Sequence, residues 1–157
     1  MPAIIPSLWF DDDLEEAAEF YTSVFPNSSI EGFTRYTEAG PGTPGTVVSG
    51  TFVLDGQRFA GINGGPVFSF GEAVSFVVRC ADQDEVDHYW HRLVEGGEES
   101  QCGWLKDRFG LSWQIVPERL YELLGDGDPA RAAAATTAML GMRKIVVADL
   151  EAALRDA

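Results

Sequence analysis

The strongest constraint on this chain is an internal duplication. "LWFDDDLEEAAEFYTSVF" (8–25) sets a short bulky apolar run before three aspartates, then spaces Leu14, Ala17, Ala18, Tyr21, Val24 and Phe25 as one helical face. "VVRCADQDEVDHYWHRLV" (77–94) follows the same plan, with Asp82 before the helix. Matching Asp13 to Asp82, an offset of 69, sets Glu16 against Glu85, Ala17 against Val86, and Phe20-Tyr21 against Tyr89-Trp90. The preceding strands match at an offset of 70, Leu8 to Val78 and Phe10 to Cys80, and the extra aspartate absorbs the slip. The ends of the halves also match: "DGQRFAGI" (55–62) and "FGLSWQIV" (109–116) align at 54, pairing Gly56 with Gly110, Phe59 with Trp113 and Ala60 with Gln114. Strand candidates at 28–36 and 45–54 fill the first half, and shorter ones around "EESQ" and "CGWLKD" fill the second. Each half therefore reads strand–helix–strand–strand–strand, with "NGGPVFSFGE" between them as a linker. A repeat of this size predicts a pseudo-symmetric fold with its cavity between or within the units. Asp82 and one of Asp11–Asp13 are the expected helix caps, and the other aspartates suit the positive end of the helix.

At 157 residues, 45% of them apolar, the chain suits one globular domain without disulfide staples. Eleven basic against twenty-five acidic residues give a net charge of -14, which argues against nucleic-acid and anionic-membrane partners. Two cysteines, Cys80 and Cys102, make neither a disulfide framework nor a zinc quartet. The start, "MPAIIPSLWFDDD", has no basic segment or long apolar run, and nothing later reaches membrane-spanning length. A soluble cytoplasmic protein is expected.

Four stretches in order carry a family resemblance: "LWFDDDLEEAAEFYTSVFPNS", "NGGPVFSFGEAVSFVVRCAD", "DEVDHYWHRLVEGGEESQCGWLKDRFGLSWQIVP" and the tail "AMLGMRKI". With the tandem βαβββ plan they resemble the vicinal oxygen chelate superfamily (glyoxalase I, extradiol dioxygenases, fosfomycin- and bleomycin-resistance proteins). Within it they are similar to the PhnB-like branch, whose members are often labelled 3-demethylubiquinone-9 3-methyltransferase. The resemblance runs from about residue 3 to residue 146. It implies an α+β fold of tandem βαβββ modules whose curved mixed sheets surround a pocket, and a homodimer. The expected layout is a single domain over 1–157, with module one at about 3–66, module two at about 72–117 and a helical tail at 118–157.

Metal-using members of that superfamily take one inward ligand from the first and last strand of each module. Carried over by position, this selects Ile5, Ala60, Ser75 and Gln114. Strand alternation puts Arg58, Ala60 and Ile62 on one side and Ser112, Gln114 and Val116 on one side, with Phe59 and Trp113 turned under the helices. Divalent sites need convergent imidazole, carboxylate or thiolate donors. Isoleucine and alanine have none, so no metal and no cofactor is expected, and glyoxalase or ring-cleaving chemistry loses its Lewis acid. A register slip of one residue would bring in Pro6, Phe59, Phe76 or Trp113, which are no better.

His88 and His91, three apart on "DEVDHYWHRL", lack HExxH spacing and read as a solvated face, with Tyr89 and Leu93 turned to the core. Cys80 reads as a small core hydrophobe. Cys102, before Trp104 and near Lys106 and Arg108, has no visible base to make it a nucleophile, and no catalytic residue is assigned. "NGGP" is the only glycine cluster resembling a methyl-donor turn, and it leads into another strand-like stretch. The pocket-lining set is Ser7, Trp9, Arg58, Ser75, Arg79, Trp104, Ser112 and Gln114. The aromatics would supply contact area, and the arginines would receive a carboxylate or phosphate unless acidic neighbours already hold them.

In the tail, "ERLYELLG" reads as a short helix, "DPARAAAATTAMLGM" as one capped by Asp128 with Pro129 first, and "ADLEAALRDA" as one capped by Asp149. The alanine-rich faces are expected to pack across the sheets or a partner chain. The leading expectation is a metal-free protein that binds a small organic, anionic-compatible molecule. An enzyme of the same superfamily (a metal-assisted lyase or dioxygenase, or a methyltransferase) is the alternative, and a pure interaction module is the third reading.

Overall fold

The structure, a computed structural model, describes residues 3–157; the first two residues of the expected 1–157 domain lie outside it. The chain divides into two compact units, one ending at Phe70 and the other beginning at Gly71. Each carries one four-stranded mixed sheet.

In the first unit, β1 (Ser7–Phe10), α1 (Leu14–Val24), β2 (Ser29–Arg35), β3 (Val47–Leu54) and β4 (Gln57–Asn63) form a sheet of order β1-β4-β3-β2. β1 runs parallel to β4, and the other pairs are antiparallel. The buried face of α1 is Leu14, Ala17, Ala18, Tyr21 and Val24, the set expected from spacing except Phe25, which lies just past the helix end. That face packs on Phe52, which stacks on Phe59 with ring centroids 5.5 Å apart.

In the second unit, β5 (Ser75–Cys80), α2 (Gln83–Val94), β6 (Glu98–Glu99), β7 (Trp104–Lys106) and β8 (Ser112–Pro117) repeat that order as β5-β8-β7-β6. Helices α3 (Glu118–Leu124), α4 (Pro129–Leu140) and α5 (Val147–Arg155) follow. The fold is thus α+β, two βαβββ modules followed by helices. The duplication holds at single-residue register. Ser7 lies beside Ala60 as Val77 lies beside Gln114, and Phe10 beside Asn63 as Cys80 beside Pro117. Offsets of 70 and 54 convert one set of pairs into the other.

Two helix starts differ from expectation. Asp82 caps α2, accepting from Glu85 N–H at 3.0 Å, while Glu85 accepts from Ala81 N–H. Asp13 occupies the matching position of α1 without a side-chain cap bond. Asn63, brought there by the β1–β4 pairing, accepts from Leu14 N–H instead and donates to the Val47 carbonyl. Asp13 is left partly buried among Asp12, Glu16 and Asp11; burial first, then those charges, push its carboxyl above the usual range. Likewise Asp149 lies inside α5, not at its cap: the helix starts at Val147, whose N–H is held by the Gln83 side chain at 2.8 Å. On α2 the core aromatic is Trp90, with Val86 and Leu93; Tyr89 is only half-buried. Asp128 and Pro129 open α4 as expected.

The tail helices share an apolar core of Leu120, Leu123, Ala135, Ile145, Leu150 and Leu154, seated on Val116 of β8. The segment before α5 also grips the turn ahead of β7, where Cys102 and Gly103 N–H groups donate to the carbonyls of Met142 and Arg143. Gln83 donates to the Ile145 carbonyl, and Lys144 pairs with Asp87 at 2.5 Å.

Candidate functional site

In both sheets alternate side chains face the helix, and the others form an open face. On the first unit Leu8, Phe10, Phe52 and Phe59 are buried on the helix side, which leaves Ser7, Trp9, Arg58, Ala60 and Ile62 on the other. Cross-strand pairing sets Ser7, Ala60, Thr51 and Gly32 in one row. A cavity of about 420 Å³ lies over it, lined by Gly32, Thr34, Ser49, Thr51, Ala60 and Ile62, among others. Small residues make the room. Arg58 is held at the rim by Glu31, 2.7 Å away, and that pairing lowers the carboxyl and raises the guanidinium. Trp9 donates its indole N–H to the Gly65 carbonyl and meets Phe68 edge-on, so the chain after β4 closes that end of the face.

On the second unit two rows cross the open face. One is Ser75, Ser112, Lys106 and Glu98; the next is Val77, Gln114 and Trp104. The structure therefore brings Ser75, Trp104, Ser112 and Gln114 together. Gln114 donates from Nε2 to the Ser75 hydroxyl at 2.9 Å. Arg79 stands farther along, beside Val116, where the tail covers the sheet. It pairs with Glu118 at 2.6 Å and lies over the Tyr121 ring. Both arginines are thus held by acidic neighbours. The cation on the open row is Lys106, paired with Glu72 at 2.5 Å. In the sequence Lys106 stands out only as a neighbour of Cys102; its alternation with Trp104 is the signal for the face it occupies.

The "KDRFG" turn that carries Lys106 is built around a buried carboxylate. Asp107 accepts from Phe109 N–H, Leu111 N–H and the Trp113 indole N–H, at 2.9, 3.0 and 2.9 Å. These bonds tie the β7–β8 connection to the helix-side aromatic and so set Lys106 opposite Ser112. Trp113 and Phe59 both pack on the helix side. Cys80 is fully buried, and burial pushes its thiol up to about 12. Cys102 lies in the turn before β7 at φ 58, held there by the backbone bonds to the tail. His88 and His91 are exposed on α2.

The positions selected by the metal-using pattern are a poor fit for a divalent ion. Ile5 and Ala60 carry no donor atom, and the Gln114 amide and Ser75 hydroxyl are bonded to each other. Among the described residues, no three His, Cys, Asp or Glu side chains cluster as metal ligands. Both strand-to-helix turns carry aspartates, at Asp11–Asp13 and Asp82, where a nucleotide-type methyl donor would require glycine and a free helix N-terminus.

A family model described as 3-demethylubiquinone-9 3-methyltransferase matches residues 2–116. A PhnB protein from Bacillus cereus, provisionally described by that same activity, is 38% identical, with a TM-score of 0.69 over 74% of this chain and 99% of its own. Protein PA1353 from Pseudomonas aeruginosa, 18% identical, shares the fold at a TM-score of 0.63 over 75% of this chain and 98% of its own. So does the fosfomycin resistance protein FosX from Listeria monocytogenes, 15% identical, at 0.57 over 77% and 94%. Among curated proteins none matches. Family match and close structural likeness together establish that the chain belongs to the 3-demethylubiquinone-9 3-methyltransferase family, of which the PhnB protein is a solved relative.

Proposed function

We propose that this chain is a small-molecule-binding protein of the vicinal-oxygen-chelate fold that works without a divalent metal centre. The observation that carries the reading is the Ser75–Gln114 hydrogen bond at two of the four positions where metal-using members place ligands, with Ile5 and Ala60 at the others. A neutral hydroxyl and a neutral amide, with no imidazole, carboxylate or thiolate beside them at these positions, hold a divalent ion poorly. The same pair, beside Trp104 and Ser112, is well suited to orient a small organic molecule: an apolar wall with a few fixed polar groups. The room over Gly32, Thr51 and Ala60 in the first unit supports the same reading.

In this reading the protein is a cytoplasmic homodimer. Ile4 and Ile5 before β1, Val74 before β5 and Val77 within it stand exposed as apolar surface of the kind a second copy would cover, which supports the dimer. The decisive experiment is elemental analysis of purified protein with mass spectrometry of copurifying small molecules. An organic molecule bound near one per chain, with metal far below stoichiometry, is the expected result. Stoichiometric zinc, nickel, manganese or iron, with no organic ligand, overturns it.

A further inference from the structure

The geometry points to a carboxylate-binding subsite on the second unit, formed by the Ser112 hydroxyl and the Lys106 ammonium and guarded by Glu72. This deepens the proposed function, since it rests on the open face being a binding face. Ser112 is 1% exposed, and its Oγ is the buried side-chain polar atom, among the described residues, with no hydrogen-bond partner. A buried hydroxyl left unpaired is costly, which makes such a group a marker for something that binds there. Ser112 lines a cavity of about 130 Å³ with Lys106, Trp104, Glu72 and Glu98, a space comparable to a few water molecules. Pairing across β7–β8 sets Lys106 directly opposite Ser112.

Three carboxylates line this cavity, yet the Ser112 hydroxyl bonds none of them: Glu72 holds Lys106, and Glu99 holds Arg143 and accepts from the Trp90 indole N–H. Lys106 has three N–H donors, and Glu72 takes one at 2.5 Å; Ser112 has a hydroxyl proton to give. The groups left with hydrogen-bonding capacity on this row are the remaining Lys106 N–H donors and the Ser112 hydroxyl, and an acceptor complements both. A carboxylate of the ligand can bond both donors at once, one oxygen each, because neighbouring residues across an antiparallel pair stand within about 5.5 Å. To do so it must displace Glu72, which is mostly exposed and held from a loop ahead of β5. Glu72 therefore acts as a resident stand-in. It keeps Lys106 paired when the cavity is empty and, with Glu98, makes entry selective for a molecule that brings further contacts.

The test is a 15N-HSQC titration of the full chain with sodium acetate, against sodium chloride at matched ionic strength. Saturable shifts at the amides of 104–106 and 112–114 are expected. Glu72→Gln should tighten binding about tenfold, Ser112→Ala weaken it about tenfold, and Lys106→Gln abolish saturation. Unchanged melting of each variant separates these effects from misfolding. Shifts that fail to saturate, or that persist in Lys106→Gln, overturn the subsite, as does a Glu72→Gln variant that binds no tighter. Inorganic phosphate binding there while acetate does not overturns the carboxylate assignment. Copurified organic ligand with no acetate response at these residues refutes the subsite and leaves the proposed function standing; acetate bound as expected in a protein loaded with metal does the reverse.

Discussion

Asp107 offers the sharpest test of how the second unit holds its open face. Its two oxygens accept three donors, from Phe109 N, Leu111 N and the Trp113 indole. Asp107→Asn keeps one acceptor oxygen and converts the other side to an NH2 group. If the oxygen stays on the two backbone donors, the new NH2 confronts the Trp113 N–H at the 2.9 Å now spanned by a bond. One charge-assisted bond is lost, about 1.5–3 kcal/mol, and the two retained bonds weaken from charged to neutral. The expected cost is about 3 kcal/mol. Asp107→Ala leaves three donors without the acceptor, at about 1–3 kcal/mol each, and should cost about 5 kcal/mol or prevent folding. Urea unfolding at constant m reads both. Trp113→Phe removes the indole donor, so Asp107→Asn made in that background should cost at least about 1 kcal/mol less than in the wild type, a coupling a double-mutant cycle isolates. Loss of packing against Phe76 is common to both arms and cancels. An Asp107→Asn variant within about 0.5 kcal/mol of wild type, or strict additivity in the cycle, would refute the keystone role, since surface substitutions fall in that range.

Three further outcomes follow from the same geometry. Because Asp13 has its folded pKa raised above 3.8, its protonation favours the folded state below that value and the benefit disappears as pH rises through the folded pKa. Asp13→Asn should therefore gain about 0.5 kcal/mol at neutral pH and nothing in acid, read by thermal melts at both; a neutral-pH loss contradicts the burial of that charge. Gln83→Ala should cost about 1–2 kcal/mol by removing partners from the Ile145 carbonyl and Val147 N–H, with faster hydrogen exchange concentrated at the start of α5; uniform or absent change would count against the tail's attachment there. Thiol titration with Ellman's reagent should find Cys80 silent in the native protein and reactive in denaturant, since its thiol is fully buried with its pKa near 12; two fast-reacting native thiols would contradict that.

The duplicated scaffold was legible in the sequence because strand alternation and helix spacing are strictly local periods. Two offsets, 70 and 54, were enough to recover the partner of each residue across β1–β4 and β5–β8. Caps were less legible where a distant side chain competed for the same backbone group. Asp13 and Asp149 both suit an N-cap, yet Asn63 and Gln83 reach those helix starts through tertiary pairing. The Tyr89–Trp90 ambiguity is of another kind. Tyr89 and Leu93 are four apart, but Val86, Trp90 and Leu93 continue one stripe over two turns, and the longer stripe wins the core. At the site, residue types suggested arginine as the anion receptor. Glu31 and Glu118 engage both arginines, and neither partner is near in sequence, so no local signal marks the pairing.

The two open faces show how a duplicated fold divides its chemistry. At the Trp9 end, the first unit closes its face with its own chain: the indole bonds Gly65, and Phe68 meets the ring. The second unit closes the matching end, at Arg79 and Val116, with the tail, whose apolar core sits on Val116 and whose Glu118 holds Arg79. That tail begins where the family match stops, at residue 116, so it adds to the shared scaffold without replacing part of it. What stays open then differs by unit. In the first it is Gly32, Thr34, Ser49, Thr51 and Ala60, small residues that confer room. In the second it is Ser75, Gln114, Ser112 and Lys106, which confer polarity in a narrow space. Register dictates this outcome: Arg58 and Val53 in the first unit stand where Ser112 and Lys106 stand in the second. Swapping side chains at that one row therefore changes a face's polarity while leaving every backbone pairing intact, and the second unit's row is the one that carries the buried, unpartnered hydroxyl of Ser112.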